Sequence, residues 1–202
     1  MNDRDSNYVY LETADTFTRS RLSDKRYDHT IRVTETAQRL VRIHNLDEDR
    51  TRLAALLHDA ARETPSEELL RLARDWSVPV EEPELQSPNL LHGPVAAELA
   101  RRELGVEDEE VLEAIRIHTT GAPRMGPLAL AVYVADKIEP GRDYPSVERL
   151  RKLATEDLRE TAAEALRRAI AHNEERGRPT HLASRETLAW LEDSQNSAQG
   201  GM

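Results

Sequence analysis

Apolar residues recur at helical spacing along most of the chain. Between Asp24 and Ile43, the residues Ile31, Val33, Ala37, Leu40 and Val41 form one face, as an amphipathic helix requires. Asp24 is the expected N-cap. His29 stands one and two turns before Val33 and Ala37, so it shares their inward face. Tyr8 to Arg21 predicts a short first helix with weaker periodicity. Asn45 and Leu46 break the second run, and Asp47 caps a helix whose Leu53, Ala54, Leu56 and Leu57 lead into His58-Asp59. Thr64-Pro65-Ser66-Glu67 predicts a helix start with a capping box and proline at the first helical position, ending near Trp76. Val78 to Leu91 carries Pro79, Pro83 and Pro88 among acidic neighbours and is expected to be a surface loop.

Pro94 to Leu104 predicts a helix stopped by Gly105. Another runs from Asp108 to about His118, with Val111, Ile115 and His118 on one face, and Thr119 to Pro127 is a loop. Leu128, Val132 and Asp136 then follow at successive turns of a segment that is apolar nearly all round, which marks a buried central helix. Glu139-Pro140-Gly141 ends it. Val147–Leu153, Glu156–Asn173 and Ala183–Leu191 complete the set. The expected organisation is an N-terminal helical extension (1–23), one helical domain (24–191) and a disordered tail (192–202).

Composition agrees with an all-α fold. Charged residues make up 33 % and aromatics only 4 %, and the apolar residues are mostly helix formers rather than the branched and aromatic types a sheet prefers. The net charge of −10 argues against a nucleic-acid binder, which needs a basic face. The chain has no cysteine, which removes disulfides and thiolate ligands and leaves histidine, carboxylate and water for any metal. Neither a secretory signal nor an apolar run long enough to span a bilayer is present, so the expected location is the cytoplasm, with no membrane partner. A homodimer is left open.

His29, His58, Asp59, His92, His118 and Asp136 all fall at inward or junctional positions, on five separate helical segments. A lone inward histidine is usually a hydrogen-bonded core residue, and Asp136 could pair with an arginine. The bland account would need a separate explanation for each position. A buried, unpaired Asp136 would cost several kcal/mol, and a metal ion is the simplest partner for the group. His44, His172 and His181 lie outside the pattern and read as surface or helix-end residues.

Five segments resemble the HD-domain superfamily of all-helical phosphohydrolases, whose pattern is His … His-Asp … Asp. They resemble most closely its YqeK-like family of symmetrical diadenosine-tetraphosphate hydrolases. The segments are Lys25-Arg26-Tyr27-Asp28-His29-Thr30, Leu56-Leu57-His58-Asp59-Ala60-Ala61-Arg62-Glu63, Leu91-His92-Gly93-Pro94-Val95, Ala114-Ile115-Arg116-Ile117-His118-Thr119-Thr120-Gly121 and Ala135-Asp136-Lys137-Ile138-Glu139-Pro140-Gly141-Arg142-Asp143-Tyr144-Pro145. The resemblance implies a single HD-domain helical bundle with a buried dinuclear site. His29, His58, Asp59 and Asp136 would hold one divalent ion, and His92 and His118 the second, with Asp59 bridging. Iron, manganese or cobalt would suit such ligands. Arg62 departs from the family's usual lysine, keeping the charge but changing its reach and geometry.

The implied substrate is a small nucleotide with a phosphoanhydride, and the symmetrical cut comes from the resemblance alone. Asp59, Arg62, Glu63 and His118 are the candidates for the chemical step. Arg26, Arg62 and Arg142 are nominated for phosphate, with Thr119, Thr120 and Gly121 as further donors and Asp143 as a residue that orients an arginine. Three rival readings are another HD phosphohydrolase, a non-catalytic nucleotide-binding HD module and a helical interaction protein with incidental histidines.

Overall fold

Short polar side chains, those of Ser23, Asp47, Asp108 and Asp157, start four of the helices. The computed structural model describes residues 3–199, and the side chains of residues 10–193. The described residues form α1 (Asp3–Arg21), α2 (Asp24–His44), α3 (Glu48–Leu57), α4 (Ser66–Asp75), α5 (Glu82–Gln86), α6 (His92–Leu104), α7 (Glu109–Ile117), α8 (Pro127–Ile138), α9 (Val147–Leu153), α10 (Leu158–Glu175) and α11 (Leu182–Gln199). A 3-10 turn, Pro88–Leu91, precedes α6. No strand occurs among these residues. Asp47 caps α3 by accepting from Arg50 N–H at 2.9 Å. Asp108 caps α7 through the N–H groups of Glu110 and Val111 at 3.0 and 3.2 Å. Asp157 caps α10 in the same way. Each cap satisfies amide donors that a helix start leaves without partners.

Helix α8 is the centre of the molecule. Every residue of it is buried except Pro127 and Lys137. It packs against α2, α3, α7, α9 and α10, and such a setting demands an apolar surface all round. Around it α2 lies on α3, and α6 on α7. Helix α1 packs on α3, where Thr18 donates from Oγ1 to the Leu56 carbonyl at 3.0 Å. The N-terminal helix thereby supplies a partner to a last-turn carbonyl of α3, just ahead of His58. Among the described residues no helix is long and apolar enough to cross a membrane.

Several sequence expectations are corrected here. Ser23, not Asp24, is the N-cap of α2. Pro65 occupies the N-cap of α4 without a side-chain cap bond, so the capping box expected of Thr64 and Glu67 does not form. Helix α6 begins at His92 rather than Pro94. The stretch Val78–Leu91, expected to be a loop, contains α5 and the 3-10 turn. Pro83 and Pro88 begin helical turns instead of breaking them, because they sit in first turns whose N–H groups have no helical acceptor anyway, while Pro79 stays outside any helix. The Glu81 N–H donates to Glu84 Oε2 at 3.1 Å and closes a capping box there. Helix α11 continues past Leu191 to Gln199, through most of the segment read as a disordered tail. Residues 200–202 lie outside the described part.

Candidate metal centre

Three histidines stand at helix ends, and the backbone there orients them. His58 is the C-cap of α3, His118 the C-cap of α7, and His92 the first residue of α6. Each turns its Nδ1 back to the carbonyl three residues before it: His58 to Ala55 at 2.7 Å, His118 to Ile115 at 2.8 Å, and His92 to Asn89. A carbonyl accepts only, so each Nδ1 carries the proton and each Nε2 lone pair faces away from its own backbone. For His58 and His118 this one bond also occupies a carbonyl that the end of the helix would leave open.

His29 is oriented by a side chain instead. It projects from the middle of α2, where backbone carbonyls are already used, and its Nδ1 lies 3.1 Å from Glu139 Oε1. Glu139 follows α8 immediately, is 2 % exposed, and accepts from Arg32 Nε and from the Gly141 N–H, each at 2.6 Å. A Cβ at Gly141 would come within 2.7 Å of Arg32 Nη2, so the glycine makes room for this ion pair. A carboxylate behind a histidine fixes its tautomer and raises its strength as a ligand.

The four Nε2 atoms converge on Asp59, which is 3 % exposed. Its two oxygens divide them. Oδ2 faces His29 at 3.7 Å and His58 at 3.4 Å, whereas Oδ1 faces His92 at 3.3 Å and His118 at 3.7 Å. Two triads result, His29-His58-Asp59 and Asp59-His92-His118, and they share the aspartate. Both sets suit divalent cations. The buried Nε2 atoms of His29 and His58 have no hydrogen-bond partner. Those of His92 and His118 lie 3.0 Å apart, so two lone pairs meet if both rings are neutral. A cation in each triad would relieve both conditions, and helix C-termini directed at the site favour positive charge.

The electrostatics act on Asp59 and His118 in particular. Burial pushes the Asp59 carboxyl up, but the histidines facing it, His58 first, outweigh burial and hold the group well below the usual carboxylate range. Burial, then His58 and His92, push His118 well below the usual histidine value.

Asp136 is drawn to the same place but stands outside the two triads. Its Oδ1 lies 3.1 Å from His29 Nε2 and accepts from Arg142 Nη2 at 2.6 Å, while Oδ2 accepts from Lys137 Nζ at 2.8 Å. Arg26 reaches Asp59 Oδ2 at 3.2 Å. Arg62 is half-buried near Arg26 and donates to the Asn89 side-chain oxygen. An open cleft of about 400 Å³ leads from solvent to His29, lined by Ser23, Lys25, Arg26, Arg32, Glu63 and Arg142.

Other nominated residues separate from the cluster. Glu63 accepts from the Ser23 N–H at 2.5 Å and hydroxyl at 2.8 Å, so its carboxylate anchors the start of α2 at the cleft wall. Of the three residues after His118, only Thr119 turns inward, with Oγ1 at 3.3 Å from His92 Nε2 and 3.1 Å from His118 Nε2. The Thr120 carbonyl accepts from Ser184 of α11. Gly121 has φ +71° and would place a Cβ 2.8 Å from Thr187, so it serves the seat of α11. Asp143 is exposed. His44 and His181 lie apart from the cluster, on the Ala154 carbonyl and Glu84 respectively. Glu139, Asn89, Arg32 and Lys137 were not singled out in the sequence. Glu139 carried a usable signal, as a carboxylate ending the most apolar helix. Asn89 carried none, because its segment read as a loop.

Residues 26–141 match the family model of the HD domain. The chain is 36 % identical over 173 residues to a Bacillus subtilis protein named symmetrical bis(5'-nucleosyl)-tetraphosphatase, covering 86 % of this chain and 92 % of that one. It is 42 % identical to a protein of the same name from Halalkalibacterium halodurans over 68 % of this chain and 73 % of the other. The crystal structure of an HD superfamily hydrolase described as involved in NAD metabolism, from Clostridium acetobutylicum, superposes with a TM-score of 0.88 at 34 % identity, over 91 % of this chain and 97 % of that one.

Proposed function

The chain belongs to the HD-domain family, and on that premise we propose that it is a divalent-metal phosphohydrolase that cuts diadenosine tetraphosphate at its middle anhydride into two ADP. The observation that carries the reading is the pair of buried triads sharing Asp59, with unpartnered Nε2 atoms aimed into them. The similar proteins named for a symmetrical tetraphosphatase support the choice of substrate.

His29, His58 and Asp59 would hold one ion and His92, His118 and Asp59 the other, with Asp136 beside the first set. Bound divalent ions supply an activated water and Lewis acidity toward phosphoryl oxygens. Iron is the preferred identity, with manganese or cobalt as substitutes for the same nitrogen and oxygen donors. The arginine side chains bind and orient the tetraphosphate along the cleft and offset charge on the equatorial oxygens as a P–O bond to the leaving ADP breaks. Thr119 offers a hydroxyl beside His92 and His118. Asp59 and His118 fix the reacting geometry, and Glu63 acts by holding Ser23 at the wall of the cleft. The functional unit is the body 24–191, preceded by the extension 1–23, whose α1 packs on α3. A nucleotide substrate puts the protein in the cytoplasm, and the net charge of −10 disfavours a nucleic-acid partner.

Product analysis tests this. Protein purified without oxygen, supplied with iron or manganese and given diadenosine tetraphosphate should release ADP alone, and Asp59→Ala should release none. AMP plus ATP would reject the symmetrical cut. An absence of turnover with bound metal would favour a nucleotide-binding module.

A further inference from the structure

The arginines around the cluster are not electrically equivalent. Arg142 spends its charge on Asp136 at 2.6 Å, Arg32 on Glu139 at 2.6 Å, and Arg26 meets Asp59 at 3.2 Å. Arg62 makes no ion pair of this kind. Its one hydrogen bond runs from Nη1 to the Asn89 side-chain oxygen, a neutral acceptor. The guanidinium is half-buried, with Arg26 close enough to repel it. Asp59, Asp136 and Glu63 act on it only through space, and burial together with Arg26 outweighs them, so an arriving anion supplies the direct partner the guanidinium lacks.

Asn89 sits in the 3-10 turn Pro88–Leu91, and its two carbonyls do different things. The backbone carbonyl accepts His92 Nδ1, and the side-chain carbonyl accepts Arg62. An arginine can give one arm to such an anchor and keep its other N–H groups for a ligand, which a lysine's single ammonium does less well. This accounts for an arginine working at position 62.

We propose that Asn89 is a positioning residue: its neutral amide oxygen aims the Arg62 guanidinium at a phosphoryl oxygen of the nucleotide without cancelling the charge. The inference rests on the nucleotide phosphohydrolase reading above, and it makes one residue the common anchor of a phosphate grip and a metal ligand.

The test is ADP binding by calorimetry to metal-loaded wild type, Asn89→Ala, Asn89→Asp, Arg62→Ala and the Asn89→Ala/Arg62→Ala double variant, with metal content and melting temperature measured for each. Metal content should stay at the wild-type level in both Asn89 variants, because the backbone carbonyl behind His92 remains. Affinity for ADP should fall about tenfold in Asn89→Ala, the size of one charge-assisted hydrogen bond. It should fall further in Asn89→Asp, whose carboxylate has the same shape but neutralises Arg62. Asn89→Ala should add nothing in the Arg62→Ala background. Wild-type affinity in either Asn89 variant, additive losses in the double variant, loss of metal in Asn89→Ala, or failure of the wild type to bind ADP would each overturn the proposal. ADP binding with this pattern but no dinucleotide hydrolysis would reject the activity and leave the role of Asn89 standing.

Discussion

His92 Nε2 lies 3.0 Å from His118 Nε2, while the opposite nitrogen of each ring is held by a main-chain carbonyl. The rings cannot turn away without abandoning those carbonyls. A divalent ion should therefore stabilise the folded chain strongly. Manganese at about a hundredfold excess over its Kd should add ~2.7 kcal/mol, read as a rise in Tm that a chelator reverses. Asp59→Ala should abolish the rise. A metal-dependent rise that persists in this variant would refute Asp59 as the shared ligand.

Gly93 sets the separation of that histidine pair. A Cβ there would meet the Arg116 carbonyl at 2.7 Å and His118 Cε1 at 3.3 Å. Gly93→Ala should push α6 from the end of α7, cost ~1–3 kcal/mol by overpacking, and weaken the Asp59-His92-His118 triad while sparing the other. Metal titration should show one affinity class lost. Unchanged stoichiometry and affinity would show that the helices yield without disturbing the ligands.

Glu139 should matter to metal although it is not proposed to touch one. Glu139→Gln keeps the shape but removes the charge shared by His29 and Arg32. Metal affinity should drop about tenfold or more, with a smaller change in the His92 half of the site. Competition with a coloured chelator would detect it, and wild-type affinity would count against the role.

Asp108 tests the electrostatics away from the site. The Arg50 hydrogen bond, opposed by burial, holds its carboxyl below the usual value. A depressed folded-state pKa gives stability that is present above the unfolded-state value and lost as pH falls through the folded one. Asp108→Asn keeps the cap but drops the ion pair. It should be less stable at neutral pH by ~0.5 kcal/mol, a small figure because both partners are 37 % exposed. Urea unfolding should show that gap closing in strong acid, and a gap that widened there would reverse the assignment.

The sequence exposed most of this molecule because its signals were local. Caps at Asp47 and Asp108, the C-cap Gly105 and the apolar surface of α8 are written in adjacent residues. The candidate ligand histidines were legible because His29 and His118 shared faces with aliphatic residues, His58 closed an apolar turn and His92 stood at a helix junction. What was hidden is which side chains pair. A metal ion read as the simplest partner for Asp136, yet Lys137 and Arg142, one and six residues on, already flank it. Glu63 looked like a candidate for the chemical step until α2 brought Ser23 to it. The prolines of Val78–Leu91 looked like breakers, because a first-turn proline and a loop proline are alike until the next turn is known.

The bond between His29 and Glu139 joins residues 110 apart in the chain. A contact so remote carries a large loop-closure entropy and forms only after α2 and α8 have packed. The candidate cluster is therefore expected to be completed late in folding, when the ends of several helices are already fixed. A metal bound there would have little to hold in the transition state and much to hold in the native state. Its expected effect falls on the rate at which the protein comes apart rather than the rate at which it assembles, so that loading with metal should slow unfolding and leave refolding nearly unchanged.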